Sequence, residues 1–105
     1  MKRGEVWLCA LDPTVGHEVQ KTRPCVIVSP DELNERSHTV IVAPLTSGSR
    51  PTRFRTELTF KNTPGRILVD QMRALDRRRL IKCLGPIEER ALLEALGILR
   101  EMFTK

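Results

Sequence analysis

Between Gly16 and Pro24 the chain sets an imidazole (His17), a carboxylate (Glu18), a carboxamide (Gln20), an ammonium (Lys21) and a guanidinium (Arg23) in one short polar segment. Apolar β-type runs flank it at residues 5–11 and 25–28. A loop that merely joins two strands needs none of these groups. Together they suit gripping a phosphodiester and moving protons around it. Arg23 stands directly before Pro24, whose ring biases the preceding residue toward extended backbone. From that backbone a guanidinium can neutralise a phosphate and stabilise charge growing in a pentacoordinate transition state. Thr46 closes the apolar run 39–45 (TVIVAPL) and offers a hydroxyl donor. The plainer roles are a salt bridge from Arg23 to Glu18 and a turn cap from Thr46 on Ser47-Gly48. His17, of a residue type that titrates near neutrality, and Glu18 are candidate proton carriers. Exposed polar surface is the plainer role for a lone loop histidine.

A second polar interruption is Asp70-Gln71-Met72-Arg73, after the apolar Ile67-Leu68-Val69. A carboxylate in a sheet must be paired, and Arg73 or Arg23 is the expected partner. Asp76 is placed to cap a turn, with Arg77, Arg78 and Arg79 on a solvated or RNA-facing surface. Other chemistries lack their motifs. The sequence holds no GxxxxGK[ST], GxGxxG, HExxH or GxSxG. With two histidines, His17 and His38, and no clustered cysteine or aspartate ligands, no metal site and no cofactor are expected. Without tyrosine, and with only Trp7, Phe54, Phe60 and Phe103, broad aromatic platforms for RNA are not expected either.

The elements that must position these groups are mostly short strands. Residues 5–11 read as the first. Residues 24–29 (PCVIVS) are apolar and β-branched, as in a strand buried on both faces. Residues 31–34 form a turn or short helix, and residues 39–45 a second buried strand. Residues 46–52 are a loop, 57–60 an exposed strand, and 62–65 (NTPG) a turn. Residues 66–73 and 79–84 complete the strands. Gly85-Pro86 breaks the pattern. Beyond it Leu92, Leu96, Leu99 and Phe103 recur at helical spacing, widened by Ala95, Ile98 and Met102, with Glu88 and Glu89 in the first turn. Gly97 inside this amphipathic helix is expected to serve a close backbone contact. The fold class is mainly β (α+β): a small, strongly curved antiparallel barrel with a C-terminal helix. If the two most buried strands are neighbours, the loops at residues 12–23 and 46–56 frame one groove.

At 105 residues the chain is expected to be a single domain over residues 1–105. No apolar run approaches the roughly 20 residues of a membrane span, and Met1-Lys2-Arg3-Gly4 leads into a strand, so a cytoplasmic location is expected. Cys9, Cys25 and Cys83 show no CxxC spacing, and the first two read as small buried hydrophobes. Net charge is +5 and the pI about 9.6, with thirteen arginines against five lysines. Arginine is the better residue for bidentate phosphate contacts, so nucleic acid or an acidic protein is the expected partner.

The segments RGEVW (3–7), LDPTVGHE (11–18), TRP (22–24), VAPLTS (42–47) and DQMRALD (70–76) occur in this order across the chain. Together they resemble the MazF/PemK family of toxin endoribonucleases. The resemblance implies an SH3-like barrel with a terminal helix, assembled as a homodimer. It implies metal-independent, sequence-specific cleavage of single-stranded RNA, chiefly mRNA, by attack of the ribose 2′-OH. The products would be 2′,3′-cyclic phosphate and 5′-OH ends. Arg23 becomes the general acid or oxyanion stabiliser and Thr46 holds the phosphate, while Glu18 matches an acidic position of the family and His17 a position that varies within it. Gln20, Lys21, Ser47, Arg53, Asp70, Gln71 and Arg73 are the expected substrate-binding set. One branch of the family uses an arginine two residues before the aspartate of the strand motif; here that residue is Leu68. The general base stays open among Glu18, His17, Asp70 and the substrate itself. A cognate antitoxin with an acidic, disordered tail is the implied partner. The rivals are a non-enzymatic toxin on the same fold that poisons DNA gyrase, and an RNA-binding module without turnover.

Overall fold

The computed structural model describes residues 1–11, 22–48 and 50–105. Among these residues seven antiparallel strands form one curled sheet: β1 (Glu5–Ala10), β2 (Thr22–Ile27), β3 (Thr39–Thr46), β4 (Arg55–Phe60), β5 (Thr63–Leu68), β6 (Arg73–Asp76) and β7 (Leu80–Pro86). The order across the sheet is β4-β5-β3-β2-β1-β7, with β6 also on β3. The short helix α1 (Asp31–Arg36) joins β2 to β3, and α2 (Glu89–Met102) ends the chain. The result is a half-barrel with one long helix. Among the described residues no helix is long and apolar enough to cross a membrane.

The central strands are apolar on both faces because both faces are covered. Val6, Val26, Ala43, Leu45 and Ile67 point to one side, where Ala91 and Ala95 of α2 are buried and Leu92, Leu96 and Leu99 pack. Cys9, Cys25, Ile27, Val40 and Val42 point to the other, with Leu75, Leu80 and Trp7. Cys9 and Cys25 are therefore core residues, as expected. The thiol of Cys9 against Cys25, together with burial, pushes the Cys25 thiol far above the usual cysteine range and keeps it protonated. The opening motif has a mechanical basis. Glu5 Oε1 accepts from Lys2 N at 2.7 Å and from Trp7 Nε1 at 3.3 Å. Gly4 has φ +91°, and a Cβ there would meet Leu92 Cδ2 at 3.0 Å, so helix and first strand close on a glycine.

Several boundaries differ from the sequence reading. The turn expected at residues 62–65 is the two-residue loop Lys61-Asn62, with Phe60 paired to Thr63. Both loop residues have positive φ (49° and 65°), the conformation a tight hairpin requires. Thr63, Pro64 and Gly65 then belong to β5. The single strand expected at residues 66–73 is broken by a 3₁₀ turn, Val69–Gln71, closed by Met72 N on Val69 O at 3.2 Å. β5 pairs with the Leu45–Thr46 end of β3 and β6 with its Thr39–Val42 end, so the turn joins two pieces laid along one edge. Gly85-Pro86 does not interrupt the last strand, which runs to Pro86 with a register shift opposite Val6 and Trp7. Glu88 lies just before α2 rather than in its first turn, and Phe103, past its end, is 72% exposed. The close contact expected at Gly97 is absent among the described residues, where a Cβ meets nothing within 4 Å.

Candidate functional site

β2 and β3 are neighbours, with Cys25 opposite Pro44 and Val26 opposite Ala43. Followed outward, that ladder leads to Arg23 on one strand and Thr46 on the other. Both line one groove of about 520 Å³, with Ser47 beside them. Arg23 is exposed, and it makes no ion pair with another described residue. Its backbone is held by its neighbours: it pairs with Cys9 of β1, and its carbonyl accepts from Cys25 Sγ at 3.7 Å. Thr46 Oγ1 accepts from Gly48 N at 3.3 Å, which uses one of its two lone pairs in a local turn, and among the described residues its own proton is not donated. The turn-capping role and the phosphate-holding role are thus compatible in one side chain.

Close packing sets the position of Thr46. A Cβ on Gly65 would lie 2.7 Å from the Thr46 carbonyl oxygen, so β5 can approach β3 here only through a glycine. That glycine sits in the strand where sequence reasoning had a turn.

The remaining candidates are dispersed. His17, Glu18, Gln20 and Lys21 lie outside the described residues. Asp70 pairs neither with Arg73 nor with Arg23. Both of its oxygens accept from Arg55, Oδ1 from Nε at 3.2 Å and Oδ2 from Nη2 at 3.3 Å. The register makes this possible, because Arg55 lies opposite Leu68 and Asp70 follows two residues on. Arg55 Nη1 also reaches the Arg50 carbonyl at 3.4 Å, tying the β3–β4 connection to the 3₁₀ turn. Gln71 is exposed in that turn. Arg73 Nη1 donates to Leu11 O at 3.0 Å, and Arg79 Nη1 to Ala10 O at 3.2 Å. Two guanidiniums therefore hold the carbonyls that end β1, directly before the segment carrying His17 and Glu18. Arg53 is paired with Glu101 of α2 and stacks over Phe54 at 5.1 Å.

The expectation of three surface arginines at residues 77–79 needs correction. Arg77 donates to Asn34 O and Arg79 to Ala10 O, and of the three only Arg78 is exposed, paired with Asp76. Asp76 does cap the turn, accepting from Arg78 N at 2.8 Å. The Arg78 guanidinium and backbone hold its carboxyl down at about 2. Sequence reasoning missed Arg55 and Lys61. Arg55 becomes visible only through cross-strand register, and Lys61 only once the hairpin turn is placed correctly.

The fold is thus a curled half-barrel with a terminal helix that brings an arginine and a threonine together on one groove. Residues 2–103 match the model of the PemK-like, MazF-like toxin of type II toxin–antitoxin systems, and the chain belongs to that family. It is 40% identical to endoribonuclease PemK of Escherichia coli over 110 residues, covering 99% of this chain and 83% of that protein. Against endoribonuclease MazF of Staphylococcus epidermidis identity is 34% over 100 residues, covering 90% and 83%. The fold matches a chain in the crystal structure of MazE-MazF from Deinococcus radiodurans with a TM-score of 0.82 at 30% identity, over 97% of this chain and 94% of that one.

Proposed function

We propose that this chain is an endoribonuclease, the toxin of a type II toxin–antitoxin pair, which cuts single-stranded RNA at short sequence motifs without a metal ion. The observation that carries the reading is the meeting of Arg23 and Thr46 on one groove in a chain of this family. The scissile phosphate sits between them. Arg23 offsets the charge that grows on the phosphoryl oxygens and is the group that protonates or stabilises the leaving 5′-oxygen. Thr46 donates its hydroxyl to a non-bridging oxygen, and the Gly48 N–H that it accepts polarises that donor further. The ribose 2′-OH attacks phosphorus, the P–O5′ bond breaks, and the products are a 2′,3′-cyclic phosphate and a 5′-OH.

Asp70 is poorly supported as the base that takes the 2′-OH proton, since Arg55 engages both of its oxygens. Glu18 and His17 are the assigned candidates. Ser47, Gln71 and Arg73, with Gln20 and Lys21, form the substrate-binding set; Arg53 joins it only by leaving Glu101. The partner proposed is a cognate antitoxin whose acidic tail complements a chain of net charge +5, and the active form is a homodimer.

The test is cleavage of an RNA carrying a single 2′-deoxy residue at a mapped cut site. Loss of cutting at that site alone, with cyclic-phosphate and 5′-OH ends elsewhere, supports the chemistry. Continued cutting at the deoxy site would exclude the ribose as nucleophile.

A further inference from the structure

The groove that holds Arg23 and Thr46 continues past them to the β4–β5 hairpin. Its volume of about 520 Å³ falls within the ~300–1,000 Å³ of small-ligand clefts. Leu45, Leu58 and Leu84 give it apolar lining, and Phe60 and Lys61 line it from the β4–β5 hairpin. Among the described residues no carboxylate lines it. The adjoining groove of about 470 Å³ is different: its Arg66 and Arg90 are matched there by Glu57 and Glu88. Among the described residues the cations of the first groove are therefore unmatched by a carboxylate, while those of the second are matched by two.

Lys61 is held rather than loose at its backbone. It occupies the first loop position of the hairpin with φ 49°. Its ammonium lies 5.9 Å from the centroid of the Phe60 ring. It makes no ion pair with another described residue. Two cations from different strands, apolar lining and an aromatic ring in one groove suit the alternating phosphates and bases of a nucleotide chain.

We propose that this groove seats the nucleotide adjacent to the phosphate bound by Arg23 and Thr46. The base lies over the apolar lining against Phe60, and Lys61 takes the next phosphate along the strand. This rests on the ribonuclease reading above and extends it by assigning base preference at one position to Phe60 and backbone grip to Lys61.

Two conservative variants test it. Lys61→Asn removes the charge with a residue that tolerates positive φ, and Phe60→Leu removes the ring but keeps an apolar side chain. Binding is measured with a randomised all-2′-deoxy oligonucleotide pool, which cannot be cut. Cutting is measured on a randomised RNA pool by sequencing the ends. Lys61→Asn is expected to bind about three- to tenfold more weakly, with a salt slope smaller by about 1. Phe60→Leu is expected to flatten base preference at a single position beside the cut. If the wild type cuts and both variants match it in affinity, salt slope and cut profile, the subsite is wrong and the ribonuclease reading stands. The same holds if the variants lose affinity only for an acidic peptide. If the wild type neither binds nor cuts, both readings fall.

Discussion

Gly65 and Thr46 touch through their backbones: a Cβ added to Gly65 would lie 2.7 Å from the Thr46 carbonyl oxygen. The obstacle is main chain and cannot rotate away. Gly65→Ala must push β5 from β3 at the residue proposed to hold the phosphate. It is expected to cost ~1–3 kcal/mol of stability and to lower RNA cleavage at temperatures where the variant is still folded. Thermal unfolding alongside a cleavage assay checks this. Unchanged stability and rate would mean that the two strands are not in contact there.

The Arg55–Asp70 pair couples the β3–β4 connection to the 3₁₀ turn. Arg55 is only 17% exposed at its side chain and Asp70 34%, so part of the attraction is screened by solvent. Arg55→Ala is expected to destabilise the fold by ~1–2 kcal/mol. Arg55→Lys should recover less than half of this, because an ammonium cannot make the two-pronged contact. Urea unfolding gives the energies, and amide exchange around Arg55 locates the loosening. An Arg55→Ala midpoint equal to wild type would refute the coupling.

Gly97 is exposed within α2, and added bulk meets nothing there. Gly97→Ala should therefore stabilise the protein by ~0.5–1 kcal/mol through helix propensity alone. A lower melting temperature would show that the glycine is serving a contact made with another molecule.

Asp76 is held at about 2 by Arg78, below the ordinary aspartate value near 3.9. Its folded pKa is depressed, so its contribution to stability is present above the unfolded value. It is lost as pH falls from about 4 toward 2. A carboxyl NMR titration should show the low midpoint, returning toward the ordinary range in Arg78→Ala. An ordinary midpoint in the wild type would exclude the cap.

The parts of the fold legible in the sequence are those where one physical cause dominates. Residues 25–29 are wholly buried, and a continuous apolar run announces such a strand. The convergence of Arg23 and Thr46 on one groove was legible because both sit at the ends of such runs. What failed were breaks that leave the hydrophobic pattern intact. Val69 stays fully buried inside a 3₁₀ turn, so nothing in the sequence separates β5 from β6. The stripe of α2 continues on paper to Phe103, while the helix ends at Met102 and leaves that ring in solvent. Asp70 was assigned the wrong arginine because its partner is set by the offset between two strands. Pairing rules along one strand cannot reach Arg55.

The most direct measurement is cleavage of a long unstructured RNA in excess EDTA by wild type and Arg23→Ala, with product ends identified. The wild type is expected to cut to 2′,3′-cyclic phosphate and 5′-OH ends. An Arg23→Ala protein whose circular dichroism and melting temperature match wild type is expected to lose about a hundredfold or more of that activity. A folded Arg23→Ala protein that cuts at the wild-type rate, or a wild type that cuts only when a divalent metal is restored, would contradict the proposed mechanism.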